Sequence, residues 1–301
     1  MKVALTGSSG LIGSALAPAL RADGHEVLRL VRRTPRTADE HRWDPVHHRV
    51  DPALLLDVDA VINLAGEPIR PRPWTRAYKE RLRSSRLNST TTIAEALAAA
   101  ATSDPSPRRV LLSASGIDFY GDTGSRTVTE RDPAGSGFLA TLCTEWEAAT
   151  APAEEAGVRV AHLRTGLVVG PGATLMRIMG LVFRVGLGGR LGNGRQYWPW
   201  ISLQDEVDAI RFLLTAEVAG PVNLTAPTPV TNAEFTRALA QVLHRPAVLP
   251  VPGIALRLAL GSFAREAVLG GKRAVPAALT EAGFQHTHRD LEQALRAALT
   301  A

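Results

Sequence analysis

Thr6-Gly7-Ser8-Ser9-Gly10-Leu11-Ile12-Gly13 lies between two short segments of different character. Lys2-Val3-Ala4-Leu5 before it reads as a buried strand, and Ser14-Ala15-Leu16 after it reads as the start of a helix. Strand, glycine turn and helix together form the geometry that holds a dinucleotide pyrophosphate. Gly7 permits the tight turn, Gly10 lets backbone approach phosphate, and Gly13 lets the helix pack on the strand. The helix N-terminus adds free N–H groups and a positive dipole end. Gly7, Ser9, Gly10, Leu11, Ile12 and Gly13 are therefore the first candidate cofactor residues.

Outward from this turn, strand and helix signals alternate. Val27–Val31, Ala60–Gly66, Arg109–Ser115 and Val158–Arg164 read as buried strands. Helices are expected over Ala77–Ala101 and Phe138–Glu155, and a helix over Glu206–Thr215 with Asp205 as its N-cap. Gly220–Leu224 is a late strand, and the chain from Thr231 onward is mostly helical. Pro18 falls inside the first helix, where it removes a hydrogen bond. The pattern predicts an α/β fold: a Rossmann-type doubly wound parallel sheet with a smaller, mostly helical C-terminal lobe. Residues 1–169, with 202–226 returning, are read as the cofactor domain, and 170–201 with 227–301 as a substrate lobe.

The 301 residues are 45% hydrophobic and 21% charged, with a formal net charge of +5, which suits a globular enzyme. The arginines are scattered rather than gathered on one element, which argues against nucleic-acid binding and fits an anionic small ligand. Cys143 alone cannot form an intrachain disulfide. No run of about 18 apolar residues occurs, so no membrane span is expected. With a strand starting at residue 2, no signal peptide is expected, and a cytoplasmic protein is the reading. His-Glu-x-x-His and Gly-x-Ser-x-Gly patterns are absent, so neither a metal site nor a hydrolase elbow is proposed.

The second strand selects the dinucleotide. NAD-binding versions of the fold end this strand with an acidic residue that bonds the ribose hydroxyls. Here the strand ends Val31-Arg32-Arg33-Thr34. A guanidinium there suits a 2′-phosphate, so NADP is favoured, with Arg32 first and Arg33 second.

Together these residues resemble the extended short-chain dehydrogenase/reductases, and more closely an atypical epimerase-family branch of nucleoside-diphosphate-sugar epimerases. Besides the turn, the likeness rests on Asn63–Ile69, Trp74-Thr75, Ser84-Ser85-Arg86 and Ser113-Ala114-Ser115 with Phe119–Asp122. Trp146-Glu147, Arg164-Thr165-Gly166, Gly188–Ile201 and Gly283-Phe284 extend it over essentially the whole chain. The resemblance implies a Rossmann core, NADP, and a small-molecule substrate such as a nucleotide sugar. It implies that Leu64 and Ala65 line the adenine–ribose side, that Arg86 meets cofactor phosphate, and that the backbone at Leu167 meets the nicotinamide end.

Ordinary members use a Ser and a Tyr-x-x-x-Lys helix, where the lysine lowers the tyrosine pKa. Ser115 matches the serine, but Leu139 falls at the tyrosine position and Cys143 at the lysine position. Tyr120, after the strand bearing Ser115, is the preferred proton donor ahead of Asp118. Glu67 and Trp74 are placed near substrate, and Arg190–Trp200 is read as its lid, with Arg195 and Gln196 as anion contacts. Trp198 and Trp200 are either stacking surfaces or core. Two functions follow: an NADP(H)-dependent oxidoreductase or epimerase, or a non-catalytic NADP(H)-binding redox sensor.

Overall fold

The computed structural model describes residues 1–106 and 108–300. Seven strands form one parallel sheet: β1 (Lys2–Thr6), β2 (Glu26–Val31), β3 (Glu40–Arg42), β4 (Ala60–Asn63), β5 (Val110–Gly116), β6 (Arg159–Thr165) and β7 (Gly220–Leu224). Their spatial order is β7-β6-β5-β4-β1-β2-β3. Register aligns the carboxyl ends: Thr6 pairs with Asn63, Asn63 with Ser113, Ser115 with Arg164, and Thr165 with Leu224. The order reverses between β1 and β4, and ligands of doubly wound sheets bind at that crevice.

Alternation along the strands fills both faces. Val3, Leu5, Ile62, Leu112 and Leu163 pack against α1 (Leu11–Ala22) through Leu16 and Leu20. Ala4, Val61, Leu111 and Val160 point the other way, onto Ile93 and Leu97 of the long helix Arg76–Ser103. Both strand faces are covered, which explains why these strands read as unbroken apolar runs. Pro18 is tolerated because it lies on the exposed side of α1, as does Ser14, whose carbonyl loses its helical donor.

Three expectations need adjusting. The helix drawn over Phe138–Glu155 is two, Phe138–Ala148 and Ala151–Glu155, because Pro152 cannot continue the first. The helix before β7 begins at Leu203, and its N-cap is Ser202, whose Oγ accepts from Asp205 N–H at 3.0 Å. Asp205 instead accepts from the N–H groups of Thr287 (2.7 Å) and His288 (3.0 Å), which anchors the C-terminal segment. The three-residue strand β3 was not anticipated.

Beyond β6 a second core forms. Met176, Met179 and Phe183 of helix Thr174–Arg184 pack with Phe235 and Leu239 of helix Asn232–Leu243 and Leu291 and Leu295 of helix Leu291–Thr300. Trp198 and Trp200 belong to this core, with Trp200 fully buried, so neither is a stacking surface. Leu11 and Leu167 also pack on it, so the start of α1 meets the segment after β6. Among the described residues no helix is long and apolar enough to cross a membrane.

Candidate functional site

The glycine turn sits at the carboxyl end of β1, beside the reversal point. Gly7 has φ of +66°, and a Cβ on it would lie 2.7 Å from the Leu64 carbonyl oxygen. A Cβ on Gly13 would lie 2.3 Å from the Gly7 carbonyl oxygen, whereas one on Gly10 would meet it at 3.3 Å. The turn is thus closed by backbone contacts that only glycine allows at residues 7 and 13. Gly10 is the N-cap of α1, and no side chain caps the helix. Nor is there an acidic residue in the first turn, so the N–H groups around Leu11 and Ile12 face the crevice as anion donors.

Thr6 holds this turn to β4. Its hydroxyl donates to Asn63 Oδ1 at 2.7 Å and accepts from the N–H groups of Leu64 (3.0 Å) and Ala65 (3.1 Å). Asn63 Nδ2 in turn donates to Thr90 Oγ1 at 3.0 Å, which also accepts from Trp146 Nε1 at 2.8 Å. This buried chain ties β1, β4, the long helix and helix Phe138–Ala148 together behind the crevice. Leu64 and Ala65 are half-buried at its edge.

The two arginines after β2 differ. Arg33 makes a bidentate pair with Glu40, Nη1–Oε2 2.7 Å and Nη2–Oε1 2.6 Å. Glu40 also accepts from Arg36 N–H at 2.8 Å, so its carboxylate is occupied. Arg32 is exposed, and among the described residues it has no ion-pair partner. Of the two, Arg32 is the free guanidinium.

Arg86 is 7% exposed and faces no carboxylate at ion-pair distance. Its Nη1 donates to the carbonyls of Glu67 (3.1 Å) and Leu82 (3.0 Å), and its guanidinium lies 4.9 Å from the Trp146 ring centroid. Burial lowers its pKa from the usual value. A buried cation with carbonyl partners alone is a site that an anion would complete. The Leu167 N–H is already spent on the Pro199 carbonyl at 2.7 Å, so only other parts of that residue are open to a ligand.

Ser115 and Tyr120 are engaged in the wall. Ser115 Oγ donates to Glu147 Oε1 at 2.6 Å, and Arg164 grips both Glu147 oxygens at 2.8 Å each. Arg164 Nη1 donates to the Tyr120 hydroxyl at 2.9 Å, and that hydroxyl donates to Asn223 Oδ1 at 2.8 Å. Tyr120 is 2% exposed, and burial raises its pKa. The hydroxyl of Tyr120, read from the sequence as a proton donor to substrate, lies in a satisfied network linking the end of β5 with β6 and β7.

Leu139 and Cys143 are buried filler. Leu139 packs with Trp74, Tyr78, Leu82 and Leu142, and Trp74 is itself stacked edge-on against Phe138 and Phe263. Burial pushes the Cys143 thiol up to about 12, so it is not a thiolate at neutral pH. Gln196 is turned inward, donating to the carbonyls of Leu191 (2.9 Å) and Val268 (3.3 Å), whereas Arg195 is exposed.

Asp118, second choice to Tyr120 in the sequence, has a partner that the sequence did not single out. Lys272 Nζ lies 2.5 Å from Asp118 Oδ1 and donates to the Glu266 carbonyl at 2.8 Å. Lys272 is 5% exposed, while the Asp118 side chain keeps 25% exposure. Glu266 Oε2 accepts from Leu139 N–H at 2.8 Å, capping the helix on which the usual tyrosine would stand. A Cβ on Gly116, two residues before Asp118, would lie 3.3 Å from Cys143 Sγ, which sets this segment beside the usual lysine position. The one available signal was composition: Lys272 is one of three lysines, with Lys2 and Lys79, in an arginine-rich chain. Among the described residues no cluster of His, Cys, Asp and Glu could hold a metal ion.

Comparison with known proteins agrees with this architecture. The model of the NAD dependent epimerase/dehydratase family matches residues 3–225, and a domain of unknown function (DUF1731) matches residues 251–298. Epimerase family protein Mb2239 of Mycobacterium bovis is 50% identical over 99% of this chain and 97% of its own length. The crystal structure of human epimerase family protein SDR39U1 with NADPH superimposes with a TM-score of 0.88 at 32% identity, covering 100% of this chain and 99% of that one. The nucleoside-diphosphate sugar epimerase from Corynebacterium glutamicum gives 0.81 at 34% identity, over 99% of this chain and 58% of that one.

Proposed function

The chain belongs to the NAD dependent epimerase/dehydratase family, and on that premise we propose that it binds NADP(H) and works as an oxidoreductase or epimerase on a small hydroxyl or carbonyl substrate of the nucleotide-sugar class. The observation that carries the cofactor assignment is Arg32, exposed and unpaired among the described residues, beside an Arg33-bound Glu40 at a strand end whose own residues, Val31 to Thr34, include no acid. The NADPH in the human relative's crystal structure supports it.

In this reading the N–H groups of Gly7–Gly13 hold the pyrophosphate and Arg32 the 2′-phosphate. Leu64 and Ala65 line the adenosine, Arg86 supplies positive charge, and Leu167 borders the nicotinamide end. When bound, NADP(H) supplies or accepts a hydride. The chain must then move a proton at the substrate oxygen, and neither Leu139 nor Cys143 can do so. We assign that task to Lys272, with Asp118 as its solvent-facing partner, because Lys272 is held on the carbonyl of Glu266, whose carboxylate accepts from the N–H of Leu139 at the vacant tyrosine position. Ser115 and Tyr120 become positioning residues that hold the wall through Glu147 and Arg164. Residues 1–169 with 202–226 form the cofactor domain, and 170–201 with 227–301 the substrate lobe.

The test is a fluorescence titration with NADPH and NADH, followed by turnover of a nucleotide-sugar panel read by NADPH absorbance. Binding of NADPH at least tenfold tighter than NADH, with turnover lost in Lys272→Met, supports the reading. The apolar burial of Leu139 and Cys143 favours a second one, a redox sensor that binds NADP(H) without turnover. That reading requires partner profiles that differ between the NADP+ and NADPH states; identical profiles exclude it.

A further inference from the structure

A cavity of about 850 Å³ opens between helix Asn232–Leu243 and the segments at residues 190 and 245–250. None of its lining residues comes from the glycine turn or the carboxyl ends of the sheet. A wall of hydrogen bonds also separates it from the Lys272 region: Leu191 N–H to Asn232 Oδ1 at 2.8 Å, and Gln196 Nε2 to the Leu191 carbonyl. Arg190, Arg237 and Arg245 line the cavity with His244, and the lining holds no carboxylate. None of the three arginines makes an ion pair among the described residues.

The nearest acid on the helix, Glu234, is spent on the N-terminal capping box, where its Oε2 accepts from the Thr231 N–H (2.7 Å) and hydroxyl (2.8 Å). The helix C-terminal dipole end, worth about half a charge, offsets only part of three guanidinium charges. Thr236 also lines the cavity, is 4% exposed, and has a buried hydroxyl with no hydrogen-bond partner. Unpaired cations around an orphaned hydroxyl mark a site for an anion that accepts several hydrogen bonds. Pro246, Val248 and Pro250 add an apolar rim. The cavity falls within the size range of small-molecule sites, roughly 300–1,000 Å³, and is larger than a lone pyrophosphate needs.

We propose that this cavity is a second ligand site, which takes a free nucleoside diphosphate: phosphates on Arg190, Arg237 and Arg245, with Thr236 as an additional donor, and the nucleoside against the proline–valine rim. This site is independent of the cofactor crevice.

The experiment is calorimetric titration of the full chain, saturated with NADPH, with ADP, inorganic pyrophosphate and adenosine. The expected result is one ADP per chain, pyrophosphate weaker, and no measurable adenosine binding. Arg237→Ala and Arg245→Ala should each weaken ADP by about tenfold or more and leave NADPH affinity unchanged. Absence of ADP binding at millimolar concentration overturns the proposal, as does binding that neither substitution weakens. Pyrophosphate binding as tightly as ADP overturns the nucleoside part and leaves a phosphate site. Should NADPH itself fail to bind, the same ADP titration without it, localised by Arg237→Ala, still decides, so the two readings fail separately.

Discussion

Arg32→Ala should cost NADPH affinity and spare NADH. The guanidinium stands exposed at the end of β2 and has no partner among the described residues, so its removal should leave the fold intact. A 2′-phosphate placed there would accept charge-assisted hydrogen bonds, worth about 1.5–3 kcal/mol when well formed. Solvent at an exposed site holds the gain to the low end, about 1.5–2 kcal/mol, or roughly 10- to 30-fold in Kd. The assay is NADPH fluorescence titrated at fixed low salt, with NADH as the internal control, since it lacks the 2′-phosphate. Arg33→Ala is the companion: it removes the grip on Glu40 and should lower the thermal midpoint while leaving the NADPH-to-NADH ratio unchanged. Equal loss of both dinucleotides in Arg32→Ala, or a selectivity change that appears only in Arg33→Ala, refutes the assignment.

Gly13→Ala places a Cβ 2.3 Å from the Gly7 carbonyl, so NADPH binding should be lost, while Gly10→Ala, meeting that atom at 3.3 Å, should be milder in the same titration. Thr6→Val orphans the Leu64 and Ala65 N–H groups and should destabilise by about 2–3 kcal/mol in urea unfolding. Glu206 is fully buried, and desolvation raises its pKa from 4.5 to about 8. The folded state therefore keeps a proton that the unfolded state releases, and stability should fall by about 1.4 kcal/mol per unit as pH rises through that window. Glu206→Gln should remove this slope in chemical unfolding measured across pH. Cys143, raised to about 12, should resist thiol labelling at pH 8 until denaturant is added.

Most of the sheet was legible because its central strands are apolar runs covered on both faces, and the crevice was legible because only glycine fits residues 7 and 13. Local chemistry also showed arginine in place of an acid and ranked Arg32 ahead of Arg33; the physical reason, Glu40 holding Arg33, came only with the unanticipated β3. The polar wall around Ser115 and Tyr120 was not legible. Tyr120 sits next to Ser115 in the chain, which made it look like a donor, but its partner Asn223 is 103 residues distant. Lys272 and Asp118 carry no periodic signal and meet only through the fold. The helix break at Pro152 was readable from proline chemistry, whereas the displaced N-cap was not, since Asp205 is a good cap whose carboxylate is claimed by Thr287 and His288.

The edge strand β7 bears on how the chain is made. Until residue 224 has left the ribosome, β6 is an open edge with unpaired amides, and the Arg164–Glu147 pair lacks the Asn223 side chain that completes the network beyond Tyr120. The seven-stranded sheet therefore cannot be completed as an N-terminal unit ahead of the rest. Its last strand arrives after the helix Thr174–Arg184 has been synthesised, so the two cores mature together. A fragment ending at residue 169 should accordingly aggregate instead of yielding a free-standing dinucleotide-binding domain, and sedimentation of that fragment would show it.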